Sequence, residues 1–96
     1  MRYFHRTSLS SDDALAQAKA FFGGRLAPAD EGVRRRSYAG ALGRITVAAR
    51  PEGGHYTLVQ VTTDQVGESE LDRLAKRFLA ELHKQVEPGH DLRGAY

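Results

Sequence analysis

The chain reads as an α+β domain of order β-α-β-β-β-α, a four-stranded antiparallel sheet with two helices packed on one face. Three observations predict this. Leu71, Leu74, Ala75, Phe78, Leu82 and Val86 recur at steps of three and four, the period of an amphipathic helix that must bury one side. Residues 44–50 and 56–63 alternate in polarity and are separated by Pro51-Glu52-Gly53-Gly54, too short a link for anything but an antiparallel hairpin. Ser10-Ser11-Asp12-Asp13 opens a further helix directly after a β-prone N-terminal run.

Residues 2–8, Arg-Tyr-Phe-His-Arg-Thr-Ser, are rich in β-formers and predict the first strand. Ser10 then serves as N-cap, with Asp13 three residues on in the manner of a capping box, and the acidic pair suits the positive end of the helix dipole. Leu9 takes the staple position. The helix runs over 12–22, with Leu15, Ala18, Phe21 and Phe22 inward. Gly23-Gly24 ends it, because glycine accepts a left-handed C′ conformation. Pro28, Asp30, Glu31 and Gly32 make 25–32 a loop.

Residues 33–39 give the second strand, with Arg34, Arg36 and Tyr38 on one face and Val33, Arg35, Ser37 and Ala39 on the other. Gly40-Ala41-Leu42-Gly43 reverses the chain. In 44–50, Ile45, Val47 and Ala49 oppose Arg44, Thr46, Ala48 and Arg50. Residues 56–63 are the most β-prone run, with Leu58 opposite Val59 and Val61. The second helix spans 68–86, its stripe widened by Leu79. Asp72–Lys76 and Arg77–Glu81 form opposite-charge pairs on its wet side, and Pro88-Gly89 stops it. Residues 1–88 thus make a single domain and 89–96 a short polar tail.

Ninety-six residues suffice for one domain with a modest core. Its large apolar side chains are ten Leu, six Val, four Phe, one Ile and one Met, beside thirteen Ala. That modest supply points to a second copy of the chain sharing the core, hence a homodimer. Cysteine is absent, which excludes disulfides and thiolate chemistry. No apolar run approaches the ~20 residues of a membrane span, and the N-terminus lacks the apolar core of a signal peptide. The expectation is a cytoplasmic protein without a membrane partner. Charge is lopsided: residues 1–50 carry nine basic against four acidic side chains, residues 51–96 five against eight.

Two constellations stand out. Arg34, Arg36 and Tyr38 on one strand, with Arg44 and Arg50 on the next, suggest a basic sheet face with one aromatic, a reduced form of the platform on which cations track phosphates and rings stack bases. Alternatively such arginines simply solvate an outer face or keep an edge strand from aggregating. Phe21, Phe22, Leu71, Leu74, Phe78 and Leu82 suggest an apolar pocket or subunit interface, although the same pattern describes plain core. His83 and Glu87 lie four apart on a helix, but two ligands do not make a metal site. The paired carboxylates sit at helix starts and in loops, where capping and solvation account for them. Neither the serines nor the glycine pairs fall into a nucleophile or phosphate-loop motif. The sequence therefore predicts a non-enzymatic binding module without metal or cofactor. Its first expected ligand is an apolar small molecule or a protein, and its second is nucleic acid.

Residues 2–8 leading into a Ser10-capped helix, the Pro51-Glu52-Gly53-Gly54 turn between strands, and a C-terminal helix ending Arg77-Phe78-Leu79-Ala80-Glu81-Leu82 together resemble a reduced START/polyketide-cyclase-like (helix-grip, SRPBCC) domain. The resemblance lies in the order of elements. It implies that a long helix grips the sheet over a ligand cavity, although the family's sheet has about seven strands. It also implies that the first strand pairs with the last, leaving the Arg-rich strand at an edge.

Overall fold

A computed structural model describes residues 1–86, with side chains to Lys84. The elements are β1 (Arg2–Thr7), α1 (Ser11–Phe22), β2 (Ala27–Gly32), β3 (Arg35–Gly40), β4 (Gly43–Glu52), β5 (Tyr56–Thr63) and α2 (Glu70–Val86). The tail at 89–96, Glu87 and the Val86 side chain lie outside that description. No described helix is long and apolar enough to cross a membrane.

The sheet has five antiparallel strands in the order β1-β5-β4-β3-β2, which corrects the expected four. The additional strand is β2, Ala-Pro-Ala-Asp-Glu-Gly, predicted as a loop. It pairs with β3 from Ala27↔Ala39 to Gly32↔Arg35, with a register shift between Pro28 and Asp30. Proline and a bulge are tolerated there because β2 has only one neighbour, and an edge strand can do without one ladder donor. Its polar composition follows from the same position, since almost all of it is exposed. The Arg-rich strand β3 is consequently interior to the sheet and not an edge. Pairing of β1 with β5, Arg2↔Thr62 through Thr7↔Thr57, does place the first strand beside the last strand of the meander.

Both helices pack on one face, against Ile45, Val47, Ala49, Val59 and Val61. Leu15, Ala18 and Phe22 come from α1, and Leu71, Ala75, Phe78 and Leu82 from α2. Phe22 is the hub: its ring centroid lies 5.2 Å from Phe78, 4.9 Å from Phe21 and 5.7 Å from Tyr38. Such tilted and edge-on pairs add to the area they bury.

Helix α1 begins as predicted, with the Ser10 hydroxyl accepting from the Asp13 N–H at 3.1 Å. Its end differs from the expectation. Gly23 is right-handed (φ −61°), and the chain leaves through Arg25 and Leu26 N–H groups that both donate to the Phe22 carbonyl. The left-handed glycines are elsewhere, at 43, 53, 54 and 67. Helix α2 starts later than expected, with Ser69 as its cap: the Asp72 N–H donates to the Ser69 hydroxyl at 3.0 Å. Asp72 is not on the wet side beside Lys76. It is fully buried, and its carboxylate accepts from the Thr63 hydroxyl at 2.8 Å and the Ser69 hydroxyl at 2.7 Å. Lys76 reaches back to Glu68 instead.

Candidate functional site

Among the described residues no helix covers the other face of the sheet, and the strand registers set out its residues in rows. Tyr56 stands beside Glu52, and Leu58 lies between Arg6 and Arg50. The next row runs Phe4, Gln60, Ala48, Arg35. After it come Arg2, Thr62, Thr46, Ser37 and Asp30. Arg44, Ala39 and Ala27 close the series. Small and uncharged side chains make the floor, and arginines stand around it.

The floor is a shallow trough. One depression of about 330 Å³ is lined by Arg34, Ala48, Arg50, Leu58 and Gln60. A second, lined by Asp30, Arg35, Ser37, Arg44, Thr46 and Thr62, lies on the same face. Ser37 and Thr46 share a hydroxyl hydrogen bond of 2.9 Å on the floor. Phe4 and Tyr56 lie on the same face as the trough, each 55 % exposed. An exposed ring on a sheet face is costly to solvate without a partner and offers a flat apolar surface to one.

Five arginines project from this face: Arg2, Arg6, Arg35, Arg44 and Arg50. Arg6 is tied to Glu52 and Arg35 to Asp30. Among the described residues, neither Arg2 nor Arg50 makes an ion pair. Arg44 lies near Asp64, whose carboxyl is held below its ordinary value by hydrogen bonds from the Gln65 side chain and the Arg44 backbone N–H.

The five residues expected to share a basic face do not. Arg44 and Arg50 are on the open face. Tyr38 and Arg36 are on the helix side, opposite Ile45 and Val47. Tyr38 is 3 % exposed, its ring is in the core, and burial pushes its hydroxyl pKa up. Arg36 turns back to the Gly32 carbonyl and Glu31. Arg34 precedes β3 and donates to the Ser11 hydroxyl at 3.2 Å. Of the six residues expected at an apolar pocket or interface, Phe22, Leu71, Phe78 and Leu82 are buried in the core, while Phe21 and Leu74 are half-buried at its margin. The space between α2 and the sheet, where a helix-grip cavity would lie, is filled by these side chains.

Sequence reasoning passed over Phe4, Tyr56, Arg2 and Arg6. The signal was present: Arg2, Phe4 and Arg6 share one phase of β1, as Tyr56 and Leu58 share one phase of β5.

On the helix side, His5 and His83 approach with ring centroids 6.0 Å apart, edge to face. Burial, and secondarily His83, lowers the His5 pKa. Among the described residues no group of three or more His, Cys, Asp or Glu is placed to hold a metal ion.

No protein-family model, curated protein or solved structure matches the chain. The functional reading rests on the chemistry of the open face.

Proposed function

We propose that the domain binds single-stranded nucleic acid across the open face of its sheet. The observation that carries this reading is the register, which puts five arginines and two half-exposed aromatic rings on a face that no described helix covers, with a floor of Ala, Ser, Thr and Gln. The small floor lets flat bases approach the sheet. Phe4 and Tyr56 supply stacking surfaces, and guanidinium groups meet phosphates as paired donors. The reading keeps the expectation of a nucleic-acid module, with Arg34 at the rim of the trough, but replaces Tyr38 and Arg36 with Phe4, Tyr56, Arg2, Arg6 and Arg35. The rival expectation, an apolar ligand or subunit contact, is less well supported, because only Phe21 and Leu74 of its six residues keep exposed surface.

The test is fluorescence anisotropy with labelled 20-mer RNA and DNA single strands between low and moderate salt. Each phosphate contact contributes a slope of about −0.7 in log K against log salt. Three or four contacts give a total near −2 to −3. Replacing Phe4 or Tyr56 by Ala should cost about 1–3 kcal/mol of binding where a base stacks on it. Arg2→Glu with Arg50→Glu should abolish binding while leaving the fold intact. Absence of binding at low salt, or equal binding by the charge-reversed variant, refutes the proposal.

A further inference from the structure

The two edges of the sheet are not alike. β2, at one end, has Pro28, which lacks an N–H, a register shift beside it, and the acidic pair Asp30-Glu31. These features obstruct the addition of another strand. β1, at the other end, runs Arg-Tyr-Phe-His-Arg-Thr with no proline and an unbroken register against β5. The phase of its ladder is fixed by the Thr63 N–H donating to the Met1 carbonyl at 2.8 Å. Residues 1, 3, 5 and 7 therefore bond inward to β5, while the N–H and C=O groups of Arg2, Phe4 and Arg6 point away from the sheet. Among the described residues no strand lies beyond them.

From this geometry we infer a second interaction surface, which adjoins the open face and shares Arg2, Phe4 and Arg6 with it but engages the main chain of β1. The free edge of β1 takes up an extended acidic peptide as a sixth strand. Three outward N–H/C=O couples provide the main-chain template, as in recognition by strand addition. Charge selects the occupant: Arg2, which makes no ion pair among the described residues, and Arg6, paired with Glu52, flank the site on the open side, and Lys76 of α2, paired with Glu68, stands over the Tyr3 ring on the other. Phe4, between the two arginines, offers an apolar contact to the residue opposite it. The matching peptide is acidic, apolar, acidic at alternate positions. A second copy of β1 is a poor occupant, because antiparallel pairing about Phe4 sets Arg2 against the copy's Arg6, and directly opposed like charges destabilise a ladder.

The experiment uses the full chain labelled with nitrogen-15 and a blocked peptide, Glu-Thr-Glu-Thr-Val-Thr-Glu-Thr-Glu. Amide exchange is read residue by residue with and without the peptide. The free protein should protect the amides of Tyr3, His5 and Thr7 and expose those of Arg2, Phe4 and Arg6. Saturating peptide should slow exchange at Arg2, Phe4 and Arg6 at least tenfold. Phe4→Pro removes the central outward N–H without touching the inner ladder. It should weaken peptide binding at least tenfold while Tyr3, His5 and Thr7 stay protected. Should the proline disturb β1, Arg2→Glu with Arg6→Glu serves instead and should reverse the preference toward a lysine-containing peptide. A peptide N-methylated at alternate residues should not bind. The inference is overturned by binding without new protection at the even-numbered amides, by equal binding of the N-methylated peptide, or by sedimentation showing that β1 is already taken by a second copy. Failure here leaves the nucleic-acid reading standing, since oligonucleotide binding is measured without the peptide.

Discussion

Replacing Asp72 tests whether a buried carboxylate holds α2 to the sheet. Its carboxylate accepts from the Thr63 hydroxyl, and from the hydroxyl and backbone N–H of Ser69, while its own N–H is capped by Ser69. One side chain thus starts the helix and fastens it to the end of β5. The three hydrogen bonds to this ionised acceptor contribute about 1.5 kcal/mol each, while the Ser69 cap on the residue-72 N–H survives the substitution. Relief of burial offsets part of this, so Asp72→Ala should lose about 3 kcal/mol. For a domain of this size that lowers Tm by roughly 12–24 °C. Asp72→Asn keeps the shape and removes the charge, and should lose about half as much. Burial alone would raise the carboxyl pKa, yet the bonds from Ser69 and Thr63 outweigh it and hold the group below its ordinary 3.8. A depressed folded value means that the contribution is present above the unfolded pKa and disappears as pH falls through the folded one. Urea unfolding followed by circular dichroism should show a constant gap between the parent and Asp72→Asn from pH 8 to pH 5. The gap should close below about pH 4. An Asn variant as stable as the parent at pH 7, or a gap unchanged at pH 3, would sink the argument.

Three further outcomes follow from the same structure. Phe78→Ala should cost about 3–5 kcal/mol by urea unfolding, because it removes a fully buried ring from the Phe22 cluster. Gly43→Ala should destabilise by about 2 kcal/mol or more, since a side chain there must adopt φ near 129° and meet Asp64 and Gln65 atoms at 2.6 Å; thermal melting reads it. Burial raises the Tyr38 pKa from its ordinary 10.0, with nearby Arg36 acting the other way. The stability tied to its neutral form is intact below the unfolded value and is lost as pH rises through the folded one. Tyr38→Phe should therefore flatten the alkaline limb of the stability profile, and an unchanged limb would exclude Tyr38 as its source.

The helices and the meander were legible because their residues repeat with a period that only one backbone conformation satisfies. Leu71, Phe78 and Leu82 can share a burial face only on a helix, and Ile45, Val47 and Ala49 only on a strand. The segment now seen as β2 had no such repeat. A strand bonded on one side and wet on both faces needs no apolar alternation, and its proline and acids look like loop chemistry. β3 was recognised as a strand, but the orientation of its two phases was not. Arg34, Arg35 and Arg36 are polar in either phase, which left Tyr38, a residue at home in water or in a core. The register against Ile45 decides it. The candidate face was missed for a related reason: its arginines and rings come from four strands, and only the order β1-β5-β4-β3 assembles them.

That strand order also dictates a sequence of events in time. β2, β3, β4 and β5 pair with chain neighbours through short turns, so their ladders close at small entropic cost. β1 must find β5 from the opposite end of the domain, Arg2 meeting Thr62. Non-local pairing of this kind is slow relative to hairpin closure. Without β1 the margin of the sheet would be β5, the most β-prone segment of the chain, an open edge of the kind through which chains aggregate. β1 replaces that margin with one bearing Arg2 and Arg6, so the strand that completes the sheet also puts charge on its edge and guards it in solution.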